Sequence, residues 1–210
     1  MVGFARRALD VVLGGTALVM AAPLLGVLML AVRLSSSGPA LYRQVRIGEG
    51  SRPFVMYKLR TMRIGTVGPH VTAADDPRVT RVGRVLRRTS LDELPQLWNV
   101  LRGDMTLVGP RPETPDLAER YPDECRWIFQ FRPGLTGPAQ VRLRDADVLP
   151  AGTAVDVQTY LQALVPARVA ADASFLRQPT VRATLSVLRD TVRHLMGRPI
   201  DRSPAGGSGR

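Results

Sequence analysis

Residues 11–32 form an apolar stretch of 22 residues without a single charge. A helix of that length can reach across the hydrocarbon core of a membrane. The stretch has no polar face, which disfavours a buried core helix of a soluble domain. It is also longer than the apolar core of a signal peptide, and no small-residue cleavage site follows it. The pattern therefore predicts a membrane anchor over residues 1–34.

Pro23 lies at the middle of this stretch. A proline removes one helical hydrogen bond and clashes with the preceding turn, so we expect a break there. Each half would then be about 15 Å long, the depth of about one leaflet. Arg6 and Arg7 precede the stretch and Arg33 follows it, so the positive-inside bias favours both flanks in the cytoplasm. These features favour a re-entrant helix–break–helix over a straight span, which remains the alternative.

The rest of the chain alternates short β-prone runs with helical patterns. Residues 40–47 and 53–59 predict a hairpin, because the turn-forming residues 48–51 separate them. Helices are predicted over 78–88, 94–101 and 181–195, an extended run over 105–108, and a polar loop over 65–77. The last helix, with apolar positions 181, 185, 188, 192 and 195, either packs on the domain or lies on the membrane surface. The expected fold class is α/β (α+β, mostly helical), with a cytoplasmic domain at 35–199 and a disordered tail at 200–210.

The chain of 210 residues carries a formal net charge of +11, and only one of its 29 basic residues is a lysine, Lys58. Such a charge favours anionic partners: nucleic acid, lipid headgroups or phosphorylated substrates. With Cys125 as its single cysteine, the chain can form neither an internal disulfide nor a cysteine-based zinc site. This cysteine usage fits a reducing compartment.

Asp92 and Glu93 are adjacent acids at the start of a predicted helix. A structural explanation is a capping box, because Ser90 and Glu93 have the S-x-x-E spacing. However, residues 43–111 contain thirteen basic and only six acidic residues. Two acids in a cationic field at a helix N-terminus suggest a site for Mg²⁺ and phosphate. An ionised carboxylate there can attack phosphorus and form an acyl phosphate, while arginines hold the transferring oxygens.

These residues belong to a series of motifs through which nearly the whole chain resembles the monotopic phosphoglycosyl transferases, also called polyprenyl glycosylphosphotransferases. The length is similar to that of the short, minimal catalytic form of this bacterial sugar transferase family. The motifs are Gly38-Pro39, YRQVRIG at 42–48, YKLRTM at 57–62, TRVGRVLRRTSLDELPQL at 80–97, NVLRGDM at 99–105, VGPRP at 108–112 and RPGLTG at 132–137.

The resemblance implies a two-step transfer at the cytoplasmic face of the bacterial plasma membrane. Asp92 would attack the β-phosphate of a UDP-sugar and release UMP, with Glu93 as its acidic partner and Mg²⁺ as cofactor, held by the two acids. Undecaprenyl phosphate, or another polyprenyl phosphate, would then accept the sugar phosphate. This would be the first membrane step of exopolysaccharide, O-antigen or glycoconjugate synthesis.

The resemblance also assigns the cations that would bind phosphate or substrate: Lys58, Arg60, Arg87, Arg88, Arg111 and Arg132. A surface role for Arg87, a turn role for Arg111 and a structural loop at 132–137 stay open as alternatives. Three positions depart from the common pattern. Ala22 replaces a frequent serine before the break proline, Thr106 replaces a serine, and Pro138 stands where a bulky residue is common.

A different class of function is a non-catalytic, membrane-tethered basic protein that binds anionic lipid or nucleic acid. It explains the charge and the anchor but not the acid pair, because paired acids weaken binding to a phosphate backbone. Aromatic residues make up only 5% of the chain, which is poor for base stacking. We therefore expect membrane lipids, a UDP-sugar and a polyprenyl phosphate as partners and no nucleic acid. The oligomeric state is left open, with a homodimer as one option.

Overall fold

The computed structural model describes residues 3–65, 76–143 and 156–198. Helix α1, Phe4–Ser35, is the one helix of these ranges that is long and apolar enough to cross a membrane. It is about 48 Å long and runs through Pro23 without interruption. The break predicted at Pro23 is therefore not seen as a gap in the helix, and the re-entrant geometry stays a prediction. The predicted tail at 200–210 and most of the predicted loop at 65–77 lie outside the described residues.

The hairpin predicted over residues 40–59 is confirmed. Strand β1, Leu41–Ile47, pairs antiparallel with β2, Pro53–Leu59, with Leu41 opposite Leu59 and Ile47 opposite Pro53. A turn of 3₁₀ helix, Glu49–Ser51, joins them, and Gly50 within it has a φ of 67°. That left-handed conformation favours glycine, so the Gly-Glu-Gly-Ser sequence encodes the connection.

Short helices and a second, parallel pair of strands make up most of the remaining domain. Thr80 caps α2 by accepting a hydrogen bond from the Gly83 amide at 2.9 Å, so α2 begins later than predicted. Gly103, with a φ of 89°, ends α3 as predicted. The elements are α2 Arg81–Arg88, a 3₁₀ turn Leu91–Glu93, α3 Gln96–Arg102, β3 Thr106–Val108, α4 Pro115–Glu119, a 3₁₀ helix Asp123–Gln130, β4 Gly134–Thr136, α5 Pro138–Arg142, a helical turn Val157–Thr159, a π-helical segment Tyr160–Leu164, α6 Val165–Arg177 and α7 Val181–Leu195.

Asn99 joins the hairpin to α3 from within the core. Its side chain is fully buried, where Oδ1 accepts from the Tyr57 amide at 3.1 Å and Nδ2 donates to the Val55 carbonyl at 2.7 Å. Nδ2 also donates to Asp104 Oδ2 at 3.1 Å. The amide therefore pairs with the edge of β2 that β1 leaves open. Apolar side chains surround this joint, among them Met56, Leu97, Val100, Met105 and Val108.

Both ends of α1 are bound to the domain. Near its N-terminus, Asp10 is fully buried and accepts hydrogen bonds from Thr106 Oγ1 at 2.7 Å and from the Leu107 amide at 2.9 Å. One turn earlier, Arg6 donates to the Val108 carbonyl at 2.7 Å. Near the C-terminus, Val32 is buried in a second apolar cluster with Ala40, Leu59 and Leu86. Between these ends the helix contacts the domain along one stripe and leaves its other apolar side chains exposed.

Helix α7 turns a different face to the domain from the one that its apolar spacing predicts. Thr184, Val187 and Asp190 are buried, whereas Leu185 and Val192 of the predicted apolar face are about half exposed, at 46% and 55%. Arg142 donates to Asp190 Oδ2 at 2.9 Å, which explains how a carboxylate lies on the packed face. The rotation of this helix therefore satisfies the hydrogen bonds of Thr184 and Asp190 together with the core packing of Val187.

Replacing Asp10 with alanine should loosen the N-terminal end of α1. The substitution leaves the Thr106 hydroxyl and the Leu107 amide buried without an acceptor, at a cost of about 2–5 kcal/mol. We expect a clearly lower melting temperature for Asp10→Ala in detergent or nanodiscs. Asp116→Ala, at an exposed position on α4, is the matched control and should melt like the wild type. Equal melting temperatures for all three proteins would show that this contact does not hold α1.

Candidate active site

The acid pair lies in a sharp turn between α2 and α3. Ser90 has a φ of 56°, which turns the chain so that residues 91–93 form a single 3₁₀ turn before Pro95. The Ser90 side chain makes no capping hydrogen bond, and the Glu93 side chain bonds elsewhere, so the capping-box explanation is wrong. Asp92 is only 8% exposed. The turn therefore presents a nearly buried carboxylate next to a partly exposed one.

Lys58 meets this turn from strand β2. Its Nζ lies 2.8 Å from Glu93 Oε1, and both side chains are mostly buried. Burial raises the pKa of Asp92, and the charge of Glu93 adds to this rise. The charges of Lys58 and Arg87 lower the pKa of Asp92, but the net shift is upward. The two cations therefore offset part of the cost of keeping Asp92 ionised in a poorly hydrated turn.

A small cavity of about 10 Å³ adjoins Glu93 and Lys58. Its walls come from both strands of the hairpin, the first turn of α3, the loop after β3, and the segment from β4 to α5. Arginine, lysine and glutamate side chains line it, so the cavity is a polar site and not an apolar pocket. The lining residues are Arg46, Met56, Lys58, Glu93, Gln96, Arg111, Pro112, Gly134, Leu135 and Gln140.

Arg111 reaches this cavity from a loop of fixed shape. The loop pairs with β4 through the Gly109 amide, 2.9 Å from the Thr136 carbonyl, and the Gly134 amide, 2.8 Å from the Pro110 carbonyl. A side chain at Gly134 would place its Cβ only 2.0 Å from the Gly109 nitrogen, so this close approach requires glycine. The prolines on either side further restrict the backbone at Arg111.

A buried acid lies behind the same loop. Glu113 is 3% exposed and accepts hydrogen bonds from the hydroxyls of Tyr121 and Tyr160. Its other oxygen is 3.9 Å from Arg46 Nη1, which also donates to the Pro112 carbonyl at 3.1 Å. Burial and the charge of Glu113 raise the pKa of Tyr160 to about 12, so that the hydroxyl stays a donor. This network fixes Arg46 in the wall of the cavity.

The other cations predicted to bind phosphate lie in different places. Arg87 is near the acids: its Nε donates to Thr61 Oγ1 at 2.9 Å, and its charge acts on Asp92. Arg88 is exposed on α2. Arg60 is buried and donates to the carbonyls of Ser36 and Ser37, just beyond the end of α1.

Arg132 forms an ion pair with Glu49 at 2.8 Å in a separate, open cleft at the hairpin turn. The structure thus brings Lys58, Arg87 and Arg111 to the acid pair and places Arg60 and Arg132 elsewhere. Substrate binding by Arg60, Arg88 and Arg132 stays a prediction, and these contacts do not support it.

The carboxylates at this site suit Mg²⁺ in number and type. Within the described ranges, no group of three or more histidine, cysteine or acidic side chains could hold a metal. Mg²⁺ is usually bound by one or two carboxylates together with substrate phosphates and water. Asp92 and Glu93 would match that donor set in number and type, and one Glu93 oxygen remains beyond the one that pairs with Lys58.

Four residues at or beside the cavity were not singled out from the sequence. Arg46 and Gln96 lie inside motifs that the resemblance uses, but nothing in the sequence separated them from their neighbours. Glu113 and Gln140 lie outside those motifs. Their positions depend on contacts between segments far apart in the chain, which sequence spacing does not reveal.

Comparison with known proteins agrees with these motifs. A family model described as bacterial sugar transferase matches residues 1–198. A UDP-glucose:undecaprenyl-phosphate glucose-1-phosphate transferase of Caulobacter vibrioides is 45% identical over 197 residues, covering 91% of this chain and 69% of the relative. A putative undecaprenyl-phosphate N-acetylgalactosaminyl 1-phosphate transferase of Bacillus subtilis is 42% identical over 144 residues, covering 66% and 76%.

A third relative, from Escherichia coli, is again a UDP-glucose:undecaprenyl-phosphate glucose-1-phosphate transferase. It is 45% identical over 141 residues, which cover 65% of this chain but only 30% of the longer relative. The family match extends over nearly all of the chain, from the apolar helix to the last helix. The chain therefore belongs to the bacterial sugar transferase family.

Proposed function

We propose that this chain transfers a sugar-1-phosphate from a UDP-sugar to undecaprenyl phosphate, or a similar polyprenyl phosphate, and releases UMP. The names of the three relatives support this acceptor and this transferred group, and two of them name UDP-glucose as donor. The observation that carries the proposal is the nearly buried Asp92 carboxylate beside Lys58 and Arg87. The product would be the first lipid-linked unit of a surface polysaccharide or glycoconjugate.

In the first half-reaction, a carboxylate oxygen of Asp92 attacks the β-phosphorus of the donor. An oxygen–phosphorus bond forms to Asp92, the bond from that phosphorus to the bridging oxygen breaks, and UMP leaves with the electron pair. In the second half-reaction, a phosphate oxygen of the acceptor attacks the same phosphorus and releases the Asp92 carboxylate. Asp92 is the nucleophile of the first half-reaction and the leaving group of the second, so a single binding site for the moving phosphate is enough.

The surrounding side chains would bind and orient the phosphates. Lys58 and Arg111 line the cavity next to Glu93, and Arg87 acts on Asp92, so three cations are available for the transferring oxygens. Asp92 and Glu93 would hold Mg²⁺, which would neutralise charge on the diphosphate. Lys58 also holds the Glu93 carboxylate in place through their ion pair.

We further propose that α1 enters the membrane from the cytoplasmic face without passing to the other side. Its two ends contact one folded domain, through Asp10 and Val32. The exposed side includes Val12, Val19, Met20 and Val27, each more than 60% exposed and suited to lipid. A bend at Pro23 inside the bilayer would make this anchor re-entrant. Such an anchor would hold the acid pair near the headgroup of a membrane-bound acceptor.

Asp92→Asn should abolish transfer, because an amide cannot form the acyl phosphate. We expect a fall in turnover on the order of 10³-fold or more, measured as UMP release with undecaprenyl phosphate present. The wild type, incubated without acceptor and with a UDP-sugar labelled in its sugar, should keep the label on the protein, and the variant should not. Asp116→Asn is the matched control and should behave like the wild type. Substantial turnover by Asp92→Asn would refute the assignment of the nucleophile.

Lys58→Arg keeps the charge and so isolates the shape of the cation. Lys58 lies against a cavity with room for about one water-sized group, where a planar guanidinium would displace neighbouring groups. We expect kcat/KM to fall at least ~10-fold, or ~1.4 kcal/mol, with unchanged membrane association and melting temperature.

Lys58→Met gives a second readout. Losing the cation should raise the pKa of Asp92 further and move the acid limb of the kcat/KM profile to higher pH, because only the ionised form attacks. Lys58→Arg should leave that limb in place. Wild-type turnover by Lys58→Arg at saturating Mg²⁺ would reject a special role for the lysine beyond its charge.

Single cysteines at the exposed positions 3 and 37, in a Cys125→Ala background, should report on the topology of α1. We expect neither to react with a membrane-impermeant maleimide in intact spheroplasts, and both to react after permeabilisation. A cysteine placed in a known periplasmic loop of another protein provides the positive control. Labelling of position 3 from the periplasmic side would show that α1 spans the membrane.

A further inference from the structure

Two residues that line the cavity each have one buried side-chain amide atom without a hydrogen-bond partner in the part of the chain that the structure describes. The atoms are Nε2 of Gln96, on the first turn of α3, and Oε1 of Gln140, on α5. The Gln96 side chain belongs to a residue that is only 3% exposed, and both atoms are shielded from solvent. A buried polar atom without a partner costs about 1–3 kcal/mol, so such a pair calls for an explanation.

The cavity limits what can satisfy these two atoms. Its volume of about 10 Å³ has room for roughly one water-sized group. A uracil ring or a whole sugar is too large for it. Since Gln96 offers a donor and Gln140 an acceptor, one group that both accepts and donates would pair with both of them.

A hydroxyl meets both conditions, and other parts of a sugar nucleotide do not. A phosphate or carboxylate oxygen only accepts and would leave Gln140 Oε1 unpaired, while an ammonium only donates and would leave Gln96 Nε2 unpaired. Lys58, Glu93 and Arg111 line the same cavity, so a group bound there lies beside the proposed phosphate site.

We propose that Gln96 and Gln140 together bind one hydroxyl of the sugar-nucleotide donor. The Gln96 amide donates to the hydroxyl oxygen, and Gln140 Oε1 accepts its proton. This inference rests on the proposed function and deepens it, because it names two residues that select the donor. Both the transferred sugar and the ribose carry hydroxyls, and the experiment below distinguishes between them.

The test is a set of thermodynamic cycles between side chains and substrate hydroxyls. UMP release is measured for the accepted UDP-sugar, for its singly deoxygenated sugar analogues and for the 2′-deoxyuridine and 3′-deoxyuridine forms. In the wild type, removing the recognised hydroxyl should lower kcat/KM about 10- to 100-fold, because it leaves buried amide groups unpaired. Gln96→Met and Gln140→Met should have a lower kcat/KM than the wild type with the natural donor. Removing the recognised hydroxyl from the donor should then lower the kcat/KM of these variants no more than a fewfold further. Gln162→Met, at an exposed glutamine, is the matched control and should retain the full penalty.

The outcomes separate this inference from the proposed function. If the fall in kcat/KM on sugar deoxygenation disappears in the glutamine variants, the recognised hydroxyl belongs to the transferred sugar. If the fall on ribose deoxygenation disappears, it belongs to the nucleoside. Either result supports the inference. If every deoxygenation penalty persists in both variants, the cavity holds only water and the inference is wrong. If the wild type releases no UMP from any donor, the proposed function fails, and the same cycles are read from donor affinities by calorimetry. Equal affinity differences in wild type and variants would then overturn the inference on their own.

Discussion

The position of the candidate site depends on the side-chain amide of Asn99. Strand β2 pairs with β1 along one edge. At its other edge, the Asn99 side-chain amide accepts a hydrogen bond from the Tyr57 amide and donates one to the Val55 carbonyl. Because Asn99 belongs to the helix that follows the acid pair, this contact fixes the distance between the strand and the acidic turn. Lys58 lies on that strand, so its ion pair with Glu93 follows from the same joint. The fully buried amide also has every one of these bonds at normal length, which is the condition under which a buried polar group stabilises a fold.

The acidic turn is a compromise between burial and charge. Burial disfavours the ionised form of Asp92, and the adjacent Glu93 adds to that effect; Lys58 and Arg87 oppose it. In the proposed reaction, a carboxylate in this setting would be poorly hydrated and yet ionisable, which would favour attack on a phosphate held by cations. Part of the net positive charge of the chain is therefore concentrated around the acidic turn. It comes from cations on β2, α2 and the loop after β3, which the fold brings to one turn.

Local features of the fold could be predicted from the sequence, because their signals are local. The hairpin followed from its turn residues, α2 and α3 from their periodicity, and the end of α3 from Gly103. The capping box failed because Ser90 takes a left-handed conformation that removes it from the capping position. The face of α7 was also misjudged, since Arg142 pairs with Asp190 from another segment. Spacing along the chain does not contain such a contact.

The same limit applies to the cations of the site. Lys58 and Arg60 are two residues apart on one motif, yet Lys58 pairs with Glu93 while Arg60 binds the carbonyls that follow α1. Neighbouring residues of a strand point to opposite faces, and residues two apart share one only while the strand continues. Arg60 lies just past the end of β2, where its amide still donates to the Ala40 carbonyl, and its guanidinium turns to the carbonyls of Ser36 and Ser37. A motif identifies the segment that contributes to a site, and the tertiary fold decides which of its cations arrive there.

The arginines before α1 also change their meaning once their contacts are known. From the sequence, Arg6 and Arg7 are flanking charges that favour the cytoplasmic side through the positive-inside bias. In the fold, Arg6 donates to the Val108 carbonyl and to Thr184, and Arg7 donates to the carbonyls of Val100 and Leu101, where α3 ends. These arginines thus connect the anchor to the domain through hydrogen bonds, in addition to placing charge beside a membrane. Such hydrogen bonds constrain the topology of α1 more strongly than a bias in flanking charge does. Moving the N-terminus of α1 across the bilayer would break four hydrogen bonds from these arginines and expose the buried Asp10, and this cost supports an anchor that enters and leaves on one side.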